Sequence, residues 1–216
     1  MSRSFVDEQA LAVAHERAME FLRSLPERAV APPATRDELV KTLGGNLGDL
    51  PEDARSIVDL LARAGERGAI GSAGPRYFGF VIGGSLPATV GADWLTTAWD
   101  QNSGIYVTSP IASVTEEIAR EWLLDVLGLP PESGVGFTTG CQMANFTCLA
   151  AARHAVLRRV GWNVEEQGLQ GAPRVNVVLG AEAHVTIHVA LRMLGLGSRN
   201  AIEVATDGQG RMGAAE

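Results

Sequence analysis

The sequence predicts an α/β fold with a mainly parallel sheet, preceded by a set of short N-terminal helices. Three observations carry this. The second half alternates compact apolar strands with helices, the pattern of a parallel sheet covered on both faces. The first seventy residues are helical segments cut by Pro and Gly. The 216 residues are 46% hydrophobic and 20% charged, enough to bury a core and unlike a disordered chain.

Residues Ser4 to Leu25 form the first predicted helix, with Phe5, Leu11, Ala14, Ala18, Phe21 and Leu22 at roughly helical spacing. Pro26 and Ala31-Pro32-Pro33 break it. Thr35-x-x-Glu38 is a capping box opening a short helix to Leu43, which Gly44-Gly45 end. Pro51 sits in the first turn of a third predicted helix. Ile57, Val58, Leu60, Leu61 and Ala64 form its buried side, and Gly65 and Gly68 end it.

From Ala73 the character changes. Pro75 to Gly84 reads as extended and glycine-rich. Pro87 opens a helix to about Asp100, with Trp94 and Trp99. Ser113-x-x-Glu116 is a second capping box, starting a helix to Leu127. Ile118, Trp122, Leu123, Val126 and Leu127 face inward in this reading, and Gly128 stands just past the end. Gly134 to Phe137 is a turn or short strand, and Cys141 to about Val160 a helix. Val175–Leu179 is a strand, His184–Leu194 a helix closed by Gly195, and Ile202–Ala205 a second strand.

Composition bounds the function classes. The net charge of −7 argues against a nucleic-acid partner, whose phosphates favour basic surfaces. No stretch approaches the ~20 apolar residues that span a bilayer. The first residues carry acids and lack the apolar core of a secretory signal. Cys141 and Cys148 lie seven apart on one predicted helix, roughly 10 Å along its axis, too far for a disulfide. A cytoplasmic location is the expectation. Lys41 is the one lysine among eighteen cationic residues.

Three places could carry chemistry. Thr138-Thr139-Gly140-Cys141-Gln142 enters a helix, whose free amides and positive end attract an anion. Gly140 lets backbone approach closely, and Thr139 and Gln142 can add donors, so a phosphate ester is the natural guest. The same segment also reads as an ordinary helix start. The spacing Gly134-x-Gly136-x-x-x-Gly140 does not fit a dinucleotide fingerprint. His184 follows a strand, where ligands of parallel sheets bind, and could stack on a flat ring; it could equally be a polar residue opening a helix. His184-x-x-x-His188 has metal-compatible spacing but no zincin glutamate, and no metal site is expected. His15 and His154 read as surface or structural residues. Arg76-Tyr77-Phe78-Gly79-Phe80 could line an apolar pocket or pack as a core strand. Cys141 at a helix start is a conceivable nucleophile without a neighbouring base.

Five pieces in order resemble the group II pyridoxal-phosphate decarboxylases, which include aromatic-amino-acid and glutamate decarboxylases. They are Pro75–Gly79; Ser109-Pro110-x-x-Ser113-x-x-Glu116; Gly134 through Asn145 with Ala151-Ala152-Arg153; Val175–Leu179 with Ala183-His184; and Ala205-Thr206-Asp207-Gly208. The resemblance covers about residues 70–216. It implies the fold type I of pyridoxal-phosphate enzymes, with a helical segment 1–72 expected to wrap a partner subunit and the first part of the large domain over 73–216.

The resemblance also implies pyridoxal 5'-phosphate as cofactor, an amino acid as substrate, decarboxylation as reaction and a homodimer as assembly. It makes Thr139, Gly140, Cys141 and Gln142 the phosphate turn and His184 the residue stacked on the pyridine ring. Tyr77, Phe80, Ile82 and Gly83 would border the substrate, often that of the neighbouring subunit. Cys141 and Gln142 stand where the family commonly has small residues. Ile82-Gly83 stand where some relatives have Pro-Thr, which leaves substrate identity open. The family's covalent lysine and pyridine-nitrogen aspartate lie downstream of the segment matching His184. The chain is expected to end before both, and Lys41 maps onto neither. The 216 residues alone are therefore expected to be inactive. Other lyases or aminotransferases of the same fold, and a non-catalytic binding or regulatory fragment, are the remaining alternatives.

Overall fold

The computed structural model describes residues 7–213. The chain divides into two compact units, Met1–Ser109 and Pro110–Glu216.

The first unit is helical. Glu8–Ser24 forms α1, Arg36–Leu43 α2, Ala54–Gly68 α3 and Pro87–Trp99 α4. The predicted first turn containing Phe5 lies outside the described residues. Asp7 caps α1 by accepting from the Ala10 amide at 3.0 Å. The Thr35–Glu38 capping box is formed as predicted: Glu38 N–H donates to Thr35 Oγ1, and Thr35 N–H to Glu38 Oε2 at 2.8 Å. The third helix starts later than Pro51 indicates. Asp53 caps it through the Ser56 amide at 2.9 Å, and a side-chain acceptor satisfies a free amide, which a proline cannot. Gly65 lies inside α3 rather than ending it.

Charge and small residues hold α1 to α3. Arg17 reaches Asp59 Oδ1 with Nε at 3.3 Å and Nη2 at 3.1 Å. Arg28 lies over the Phe21 ring at 4.5 Å and donates to the Glu66 carbonyl. Ala10 and Ala64 are buried, whereas Ile57 and Leu61 of the predicted buried side are exposed. His15 meets Trp94 edge-on at 5.5 Å. A cavity of about 420 Å³ runs between α1 and α3, lined by Ala14, Ala18, Phe21, Val58 and Leu61 among others.

Residues 75–84 are not extended. They form turns, with Phe80 and Val81 in the left-handed region at φ 57° and 51°. The glycines on either side, Gly79 and Gly83-Gly84, favour turning over pairing.

The second unit contains Pro110–Leu127 (α5), Cys141–Arg159 (α6), Val164–Gln167 (α7), Val178–Gly180 (β1), Val185–Met193 (α8) and Ile202–Val204 (β2). The helix predicted from Ser113 begins a turn earlier. Pro110 takes its first position, so Ser113 and Glu116 lie inside the helix. Its predicted inward face is also corrected: Leu124 is buried, while Trp122 and Val126 are 69% and 80% exposed. Residues 134–137 form no strand.

β1 and β2 pair in parallel, Val178 with Ile202 and Gly180 with Val204, shorter than the predicted strands but in the predicted sense. α8 links them as a crossover. The core lies where α6, α7 and α8 meet, with Leu157 1% and Leu191 0% exposed and Ala190, Leu194 and Val164 buried. Burying each of the two leucines contributes about 1.5–3 kcal/mol. Three helices end alike. Gly128, Gly161 and Gly195 have positive φ, and the next residue returns its amide to the carbonyl five back, as in Leu129 to Leu124, Trp162 to Leu157 and Leu196 to Leu191. This is the Schellman arrangement, and it needs a residue content at positive φ.

Candidate functional site

α6 and α8 lie side by side and run in the same direction. Near their starts, Gln142 Nε2 donates to the Thr186 carbonyl at 3.3 Å, and Asn145 Nδ2 to Thr186 Oγ1 at 2.9 Å. Further along, Arg153 Nη1 donates to the Leu194 carbonyl at 2.8 Å. Two same-sense rungs make the helices parallel, so their amide-bearing ends share one side. β1 runs into α8 through residues 181–184, which places that side beyond the carboxyl end of the strand.

Gly140 precedes α6 without a side-chain cap. Its carbonyl accepts from Met143 and Ala144 at 3.0 and 3.1 Å, and from the Thr138 hydroxyl at 3.2 Å. Among the described residues, the amides of Cys141 and Gln142 and the Thr139 hydroxyl have no protein acceptor. No heavy atom lies within 4 Å of a Cβ built on Gly140, so the ground in front of these donors is open. One amide hydrogen of Gln142's side chain is committed to Thr186. The exposed Cys141 thiol also stands at this entrance.

His184 is the residue preceding α8, and its Nδ1 accepts from the Thr186 amide at 3.3 Å. It is therefore a helix cap, the plainer of its two sequence readings. The Thr186 hydroxyl lies 2.9 Å from the same nitrogen. The ring is otherwise exposed. Thr139, Gly140, Cys141, Gln142 and His184 are thus gathered at one place, through Thr186. Two aligned helix ends and several free donors favour an anion there. The residues present fit a phosphate ester carrying a flat ring.

Tyr77, Phe80, Ile82 and Gly83 belong to the first unit. Tyr77 is half-buried, its ring over Gly79, where a Cβ would come within 3.3 Å of it. Phe80 is 92% exposed and Ile82 is exposed, so the run is not a core strand. Thr186 and Asn145 are the polar residues that sequence reasoning passed over. His184-x-Thr186 was the available signal, because a hydroxyl two residues past a helix cap is placed to bond it.

Past β2, the Asp207 carboxylate accepts from the Gln209 and Arg211 amides at 2.8 and 3.0 Å and from Arg211 Nε at 2.8 Å. The amides of Arg211 and Gln209, then the Arg211 side chain, hold its carboxyl below the usual aspartate range. Among the described residues, no three His, Cys, Asp or Glu side chains converge as a metal site would need, and no helix is long and apolar enough to cross a membrane.

The chain is 28% identical over 138 residues to the acidic amino acid decarboxylase GADL1 of Homo sapiens, covering 64% of this chain and 26% of that protein. It is 29% identical over 145 residues to tryptophan decarboxylase 1 of Oryza sativa subsp. japonica, covering 62% and 27%. The chain thus spans about a quarter to a third of the length of these curated relatives. Its fold matches that of mouse CSAD with a TM-score of 0.83 at 21% identity, over 95% of this chain and 43% of the other. It matches Oryza sativa TDC with PLP at 0.77 and 22% identity, over 96% and 46%. These neighbours establish the fold type I architecture that the resemblance implies. The profile described as the pyridoxal-dependent decarboxylase conserved domain matches residues 45–216, and the chain belongs to that family.

Proposed function

We propose that this chain forms the phosphate- and ring-holding part of an amino-acid decarboxylase that uses pyridoxal 5'-phosphate. The observation that carries the reading is the shared position of the α6 and α8 starts, tied together through Thr186. Thr139, Gly140, Cys141 and Gln142 would bind the phosphate, and His184 would present its ring face to the pyridine. The relatives support the reaction class, being decarboxylases of acidic amino acids and of tryptophan by name.

The cofactor, when bound, supplies the electron sink for loss of carbon dioxide. The chain's own part is binding and orientation. The free amides of Cys141 and Gln142 and the Thr139 hydroxyl would bind and fix the phosphate end by hydrogen bonds. The His184 face would restrain the ring against tilting. Tyr77, Phe80, Ile82 and Gly83 would bound the substrate side chain. The segment 1–72 would wrap a second subunit of a homodimer, in a cytoplasmic enzyme, with 73–216 as the start of the large domain.

Two measurements test this. Titration of the chain with pyridoxal phosphate should show binding that inorganic phosphate competes away and that pyridoxal, lacking phosphate, does not reproduce. Equal binding of pyridoxal would remove the phosphate turn from the reading. The chain alone, with cofactor and a set of acidic and aromatic amino acids, should release no carbon dioxide. Release at a rate above the cofactor in buffer would overturn the division of labour proposed here.

A further inference from the structure

Four groups meet between α6 and α8: the Asn145 amide, the Thr186 hydroxyl, the Thr186 backbone N–H and His184 Nδ1. Asn145 Nδ2 to Thr186 Oγ1 is 2.9 Å, Thr186 Oγ1 to Nδ1 is 2.9 Å, and Thr186 N–H to Nδ1 is 3.3 Å. The polarity of this chain of bonds can be worked out. A backbone N–H only donates, so Nδ1 must accept from it. A hydrogen on Nδ1 would set donor against donor. The Thr186 hydroxyl therefore also donates to Nδ1, and its oxygen accepts from Asn145. Turning the Asn145 amide over would place its oxygen against Thr186 Oγ1 and take the hydroxyl hydrogen away from Nδ1. The observed sense of the amide is the one that satisfies every group.

We infer that Thr186 is the positioning residue of this site: its hydroxyl, oriented by Asn145, holds the His184 imidazole in the Nε2–H tautomer and in one rotamer. The inference rests on the function proposed above only in giving the fixed ring face a use. Rotating the ring by half a turn would bring a carbon against two donors, so orientation and tautomer are fixed together. Because Asn145 stands on α6 and Thr186 on α8, the same bonds set the ring relative to the phosphate turn. A stacking residue needs that restraint, since a ring free to turn would hold a flat partner poorly.

Nitrogen-15 NMR of the full 216-residue chain reads the tautomer directly, with His184→Gln used to assign the signal. The unsubstituted chain should show Nε2–H as the dominant form. Thr186→Val keeps the shape, removes the hydroxyl and leaves the backbone N–H. It should lower the ratio of Nε2–H to Nδ1–H about fivefold, the effect of one ordinary hydrogen bond. Thr186→Ser should restore the ratio. Asn145→Leu should give a smaller fall, because the hydroxyl then loses its orienting donor but keeps its hydrogen; it also decides the matter if Thr186→Val fails to fold. A dominant Nδ1–H form in the unsubstituted chain, or a ratio unmoved by both substitutions, overturns the inference. Pyridoxal phosphate, added as the probe, separates the two ideas. A tautomer lock that responds to substitution in a chain that binds no pyridoxal phosphate supports the role of Thr186 and counts against the cofactor reading.

Discussion

α5 and α6 are nearly equal in length, 18 and 19 residues, and both end in a glycine-closed Schellman turn. They differ in what surrounds them. α6 buries Leu157 in the core and is bonded to α8 near both ends. α5 buries Leu124 and leaves Trp122 and Val126 exposed, and it packs against no other element of its own unit among the described residues. Its side chain Arg120 reaches the following loop, at the carbonyls of Pro131 and Ser133. Local sequence therefore decides where a helix starts and stops, but its energetic weight comes from what it packs on.

The sharpest way to break this contrast is to truncate one side chain on each helix. Leu157→Ala empties a fully buried site and should destabilise the chain by about 2–5 kcal/mol in urea unfolding. Trp122→Ala on α5 should cost under about 1 kcal/mol despite the larger side chain, since little of it is buried. Equal losses would mean that α5 is packed more like α6 than the structure describes.

The shared turns give a second, smaller comparison. Gly128→Ala and Gly195→Ala both force an alanine to positive φ, at a cost of about 1–2 kcal/mol. A Cβ on Gly128 meets open space, whereas one on Gly195 would lie 3.0 Å from Leu169 Cδ1. Gly195→Ala should therefore be the more destabilising in the same unfolding experiment. Equal losses would show that the backbone, not the neighbour, sets the cost, and the reverse order would overturn the comparison.

The same distinction explains what the sequence revealed. Thr35–Glu38, Pro87, Gly128 and Gly195 were legible because caps and stops are chosen within a few residues. Ser113–Glu116 matched the box but lost to Pro110, which starts a helix equally well one turn earlier. The inward face of α5 could not be read, because periodicity marks an apolar stripe without saying what covers it. The aromatic run misled for a related reason: Phe78 and Phe80 favour strands, but the flanking glycines turned the chain. At the site, Gly140, Cys141, Gln142 and His184 were individually visible. Their meeting was not, since it depends on Thr186 bonding across 41 to 44 residues of chain.

The smallest expected effect compares two exposed carboxylates, one in each unit. Backbone donation from Thr35, then the Arg67 side chain, holds Glu38 below the usual glutamate range. Donation from the Arg211 and Gln209 amides does the same for Asp207. In both, the folded carboxyl titrates below its unfolded counterpart, whose ordinary range is about 3.9–4.3. Each contribution to stability is then fully present above that range and is lost as pH falls through the folded value. Neither rises again on the alkaline side. Amide exchange at Arg211 and Gln209 should accelerate on acidification beyond the general pH trend, and exchange at Thr35, whose amide donates to the Glu38 carboxylate, likewise. In Asp207→Asn the oxygen can still accept both amides but no longer titrates, so the acid-dependent part at Arg211 and Gln209 should vanish while that at Thr35 persists. Loss of both together would mean that one cooperative unfolding, rather than two separate caps, governs the acid response.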